Sequence, residues 1–165
     1  MHKKIKGAKE GVKSSKGFTL IEILVVIGII AVLSAVVLVA INPARQFKLA
    51  RDSQRNSNVL AILNAVGQNI AEHKGVFDCA VPLPLTSVQI TNMIELSGGG
   101  AIADIAQCIV PQYMSALPFD PSDPNAQYTA TNSPYYTGYA IMQGTDGRIT
   151  VSASAEIGSP ISVTR

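Results

Sequence analysis

Lys16-Gly17-Phe18-Thr19-Leu20-Ile21-Glu22 opens an apolar run that extends from Phe18 to Ile41, FTLIEILVVIGIIAVLSAVVLVAI. Glu22 is the only charge in those 24 positions. At about 1.5 Å per residue a helix of that length reaches roughly 36 Å, enough to cross a hydrocarbon core of about 30 Å. Val, Ile, Leu and Ala fill nearly every position, so no face is polar. A helix apolar all round is buried in lipid or among other helices. Gly28 and Ser34 are small enough to let neighbouring helices approach closely. A secretory signal differs: its apolar core is about 7–15 residues long and ends in a small-residue cleavage site. Here the core is longer and Leu38-Val39-Ala40 is a poor site, so the run predicts a retained anchor.

Six lysines (Lys3, Lys4, Lys6, Lys9, Lys13 and Lys16) precede the span, against the four basic residues Arg45, Lys48, Arg51 and Arg55 after it. That excess places the N-terminus in the cytoplasm. A carboxylate near the start of a span is expensive, and such groups usually have a partner and a role. Thr19-Leu20-Ile21-Glu22 also fits a capping box, in which the Glu22 side chain returns to the Thr19 amide. The two roles are compatible, because a carboxylate accepts several hydrogen bonds.

The stretch KGFTLIEILVVIGIIAVLSAVV resembles the N-terminus of a type IV prepilin, the family that includes the pseudopilins of type II secretion. The likeness in motif covers about the first 58 residues, and beyond them only the general layout. It implies that a prepilin peptidase cuts the Gly17–Phe18 bond on the cytoplasmic side and N-methylates Phe18. Glu22 then becomes the fifth residue of the mature chain, and its carboxylate attracts the Phe18 amine of a neighbouring subunit as the filament grows. In low dielectric such a pair interacts far more strongly than in water, which makes it a register device. The implied partners are further copies of the chain, minor pilins, the peptidase, an inner-membrane assembly platform and, before assembly, membrane lipid. The implied location is a prokaryotic plasma membrane, single-pass with the N-terminus cytoplasmic, then an extracellular pilus or a periplasmic pseudopilus.

Removing residues 1–17 changes the charge balance. The leader holds six lysines and Glu10, leaving seven basic against ten acidic residues, a net charge of −3. After the span, Asn42-Pro43 predicts a helix break with an immediate restart, since proline removes a donor and disfavours helical geometry at the residue before it. Within the expected 42–75 amphipathic segment, Val59, Leu63, Val66 and Ile70 form an apolar face. His73, Lys74 and Gly75 read as its stop. His73 is the one histidine outside the leader, which argues against a ligand role. Arg45, Lys48, Arg51 and Arg55 make a basic stripe, read as a solvated face or lipid contact, or as a contact with an acidic patch of the next subunit. Nucleic-acid binding along it is disfavoured by the net negative mature chain.

Residues 76–165 predict an α+β head, the long N-terminal helix being laid on a small antiparallel sheet as in pilins. Ile90, Met93 and Ile94 fall at helical spacing within 87–96, and Ile102, Ile105 and Ile109 repeat it. Ser97-Gly98-Gly99-Gly100 lacks the lysine and hydroxyl residue of a phosphate loop and reads as a turn. Tyr135 to Gln143 and Arg148 to Ala155 flank Gly144-Thr145-Asp146-Gly147, a hairpin signal. Tyr128, Tyr135, Tyr136 and Tyr139 offer either an exposed patch or cross-strand packing. Cys79 and Cys108 lie on the exported side, where disulfides persist, and a bridge would tie the loop after the long helix to the Ile105 region.

Leu117-Pro118-Phe119-Asp120-Pro121 resembles a pattern that pseudopilins carry before their terminal strands, some of which bind calcium through a nearby loop. Asp120, Asp123 and Asn125 are therefore weak calcium candidates; they lack the spacing of a recognised calcium loop, and no metal or other cofactor is expected. No Ser/His/Asp set, nucleotide loop or His/Glu metal pair is visible, and Asp78, Glu95, Asp104 and Glu156 have no evident partner. The sequence thus predicts no enzyme but a structural subunit of a type IV pilus-like filament serving adhesion, twitching motility or DNA uptake. A pseudopilin of a type II secretion system is the first alternative. A non-polymerising single-span membrane protein with a ligand-binding head is the second.

Overall fold

The computed structural model describes residues 17–165, so the basic leader before Gly17 lies outside the described residues. The chain divides into two compact units, one ending at Asn42 and the other running from Pro43 to Arg165. The first is a single helix, α1 (Leu20–Ile41), with no buried residue. Among the described residues it alone is long and apolar enough to cross a membrane. Its C-cap, Asn42, takes left-handed backbone angles of φ 47° and ψ 78°. The residue before a proline is pushed out of the right-handed helical region, and Asn tolerates the left-handed one better than most.

The second unit starts with α2 (Pro43–Glu72). Proline suits the first helical position, where its missing N–H would have had no partner. Val59, Ile62 and Val66 are fully buried and Leu63 nearly so, an apolar stripe that faces the head. The helix stops where Lys74 and Gly75 adopt positive φ and the Gly75 amide donates to the Ile70 carbonyl. The head holds β1 (Val88–Thr91), a 3₁₀ turn (Ile94–Ser97), β2 (Ile102–Ala103), α3 (Ala106–Ile109), β3 (Tyr136–Gln143), β4 (Ile149–Ala153) and β5 (Ile161–Thr164). The strands form one sheet in the order β2-β1-β3-β4-β5. α2 packs against β4 and β5.

The β3–β4 hairpin forms where Gly144 to Gly147 predicted it, pairing Ile141 with Val151 and Tyr139 with Ala153. Thr137, Tyr139 and Ile141 face inward along β3, as do Ile149, Val151 and Ala153 along β4. The architecture is α+β and pilin-like: an N-terminal apolar helix, a second helix and a five-stranded sheet.

Three local expectations differ from the structure. Residues 87–96 are not one helix but strand β1 followed by the 3₁₀ turn. Ile90 is fully buried within strand β1, and a short apolar run does not distinguish helical from strand spacing. The Ile102–Ile109 segment is helical only over Ala106–Ile109, because Gln89 and Ile90 pair with Ile102 and Ala103. That pair is parallel, so the sheet is mixed rather than wholly antiparallel.

Candidate functional site

At the start of α1 the Thr19 hydroxyl accepts from the Glu22 amide at 3.3 Å, and the Glu22 carboxylate accepts from the Thr19 amide at 3.4 Å. The capping box is therefore formed. Phe18, one residue before the cap, is 80% exposed. A carboxylate has about four acceptor positions, so one bond to its own helix start leaves Glu22 with further capacity.

The second constellation lies in the head and was read only in fragments from the sequence. Arg55 is buried on α2, and all five of its N–H donors are used. Nε and Nη2 grip the Asp120 carboxylate side-on at 2.7 and 2.9 Å. Nη2 also donates to the Ser122 hydroxyl. Nη1 donates to Asp52 at 2.7 Å and to Glu156 at 3.1 Å. Arg51, one helical turn earlier, takes both oxygens of Glu156. Asp52 in turn accepts the backbone amides of Glu156 and Ile157, each at 2.9 Å. Asp120 accepts the amides of Ser122 and Asp123. Two cations and three anions thus join α2, the 120–123 loop and the β4–β5 connection.

The charges respond accordingly. The Arg51 fork holds the Glu156 carboxyl down at about 2, with Arg55 adding to it. Asp52 is lowered, chiefly by the Glu156 backbone amide. Burial pushes Asp120 upward, but the Arg55 guanidinium and two backbone amides outweigh it and leave it lowered. Arg55 is raised, mainly by its bonds to Asp120. Gly138 makes the approach feasible. It has φ +75°, and a Cβ there would come within 2.8 Å of the Asp120 Cβ.

This geometry corrects two readings. Arg51 and Arg55 do not present a basic stripe to lipid or to a neighbouring subunit; they turn inward to carboxylates of their own chain. Glu156 and Asp104 are not without partners either: Asp104 accepts from the Tyr135 hydroxyl at 2.8 Å. Asp78 lies 3.2 Å from the His73 ring. Asp120, considered for calcium, commits both oxygens to the Arg55 guanidinium. Asp123 accepts the Asn125 amide, and Asn125 enters this loop as a backbone donor. Among the described residues, no three His, Cys, Asp or Glu side chains converge as a metal-ligand group.

Cys79 and Cys108 form a disulfide that ties the loop after α2 to α3. Asn69, which the sequence did not single out, reinforces the same junction. Its buried side chain accepts the Asp78 amide at 2.8 Å and donates to the Asp78 and Cys108 carbonyls. The tyrosines pack rather than form a patch. Tyr135 and Tyr139 are fully buried, and Tyr128 meets Tyr135 edge-on at 5.7 Å.

Residues 12–38 match the prokaryotic N-terminal methylation motif, the hallmark of type IV prepilin-like proteins. The motif supports a place in the type IV pilin or pseudopilin class, whose members are structural proteins, and the match is confined to residues 12–38. No curated protein and no solved structure matches the chain.

Proposed function

We propose that this chain is a subunit of a type IV pilus-like filament. A prepilin peptidase removes residues 1–17 and methylates Phe18, and the apolar helix then passes from the membrane into a filament core. The observation that carries the reading is the methylation motif over residues 12–38 set on a helix whose only charge is Glu22. In such a core the carboxylate of Glu22 neutralises the Phe18 amine of a neighbouring copy. An unpaired charge in the apolar phase is costly, so subunits are favoured at one axial offset. The head forms the surface, cross-linked by its disulfide and its Arg55 cluster. The partners on this reading are further copies, minor pilins, the peptidase and an inner-membrane platform.

The test replaces Glu22 by Gln as the sole copy in cells. Glu22→Gln should leave membrane insertion and cleavage intact and abolish filaments. Normal filament yield at equal mature subunit level would reduce Glu22 to the helix cap that its Thr19 bonds describe. A pseudopilus of a secretion machine shares every step up to polymerisation. It separates from a surface pilus by whether sheared filaments are recovered from the cell exterior.

A further inference from the structure

β5 is an edge strand of four residues, paired on one side only, and none of them is fully buried. β3 and β4, by contrast, bury Tyr139, Ile141 and Val151 completely. Ile161 and Val163 of β5 pack against the core but stay only partly buried, and local stability follows the buried apolar contacts a segment makes, so β5 holds itself in place less firmly than β3 or β4. The connection before it, residues 154–160, has no fully buried residue either. What fixes that connection is charge. Asp52 accepts two consecutive amides, from Glu156 and Ile157, and the Glu156 side chain is taken by Arg51 and Arg55. At the far end Arg165 and Ile149 exchange backbone bonds at 2.8 and 2.9 Å, and the Arg165 side chain reaches Asn64.

We propose that Asp52, Glu156, Arg51 and Arg55 form a latch on residues 154–165. With it shut, β5 closes the sheet; with it broken, β5 leaves as a unit while β1, β3 and β4 stay folded. The same guanidinium that clamps Asp120 inside the head therefore also holds a strap on its outside. Opening the strap unpairs the β4 edge, where Thr150 to Ala153 pair with Ile161 to Thr164 in the closed form. The latch is a property of the head and does not depend on whether the chain polymerises. The groups facing Glu156 are Arg51 and Arg55, with Asp52 on the adjoining amides and Asp120 on the opposite side of Arg55.

Hydrogen exchange on the full chain in detergent micelles at pH 7, read by mass spectrometry, tests this. In the unmodified protein, peptides covering 157–165 should be protected. Glu156→Gln and Asp52→Asn should each speed exchange there by roughly ten-fold or more, the equilibrium weight of one charge-assisted hydrogen bond. Ile149, whose amide donates to the Arg165 carbonyl, should follow, while peptides covering 136–143 keep their protection. Should Asp52→Asn disturb α2 itself, Glu156→Gln decides alone, since it lies outside every helix and strand. The latch is refuted by unprotected 157–165 in the parent chain. It is equally refuted by unchanged exchange in Glu156→Gln, or by exchange that rises equally in 136–143 and 157–165.

Discussion

Arg55→Met keeps a long apolar stem and deletes the guanidinium. The Arg55 side chain is 4% exposed and that of Asp120 6%, so this pair is withdrawn from water. Removing one partner of a buried pair costs about 3–5 kcal/mol, because the other charge is left without compensation. Asp120 would retain the Ser122 and Asp123 amides, which favours the lower end, about 3 kcal/mol. Against a total stability of about 5–15 kcal/mol that is a large fraction. Urea unfolding of the full chain in micelles at pH 7, followed by near-ultraviolet tyrosine dichroism, measures it. The midpoint of thermal unfolding should fall by about 10–15 °C. Replacing both partners with apolar residues, as in Arg55→Met with Asp120→Leu, should recover much of the loss. Arg55→Lys should fall between, since an ammonium cannot reproduce the five-donor fork. A loss for Arg55→Met below about 1 kcal/mol, the level of a surface ion pair, would refute the reasoning.

Converting Cys79 and Cys108 to Ser should lower head stability by about 2–5 kcal/mol, measured by the same unfolding; no change would show that Asn69 alone secures the junction. The cluster also sets an acid limit. Asp52, Asp120 and Glu156 are all lowered in the folded head, Glu156 to about 2 from 4.5. Depressed carboxylates contribute fully above their unfolded values and lose that contribution as pH falls through the folded ones. Stability should therefore be flat from about pH 5 to 7 and fall between about pH 4.5 and 2, a fall that Glu156→Gln makes shallower. An identical acid profile in that variant would remove Glu156 as a contributor.

Local patterns carried most of what the sequence revealed. The apolar run from Phe18 to Ile41, the stripe through Val59, Leu63 and Val66, and the hairpin around Gly144 to Gly147 each depend on neighbours a few residues apart. The motif at Gly17, Phe18 and Glu22 is equally local. The parallel β1–β2 pair was hidden because its strands are four and two residues long, too short to show a period. The Arg55 cluster was hidden by distance along the chain. Its carboxylates at Asp120 and Glu156 lie 65 and 101 residues away, and nothing near any of them signals the others. Arg51, Asp52 and Arg55 resemble an ordinary solvated helix face until the fold brings those two segments against it.

The central claim is that this chain is cut and built into a polymer. Its most direct test is the intact mass of the subunit recovered from sheared or sedimented filaments. The account predicts a chain that begins at Phe18, carries one added methyl group on its amine and retains the Cys79–Cys108 bond. A polymer whose subunit still carries Lys16, or a chain found only as an uncleaved monomer in the membrane, would contradict it.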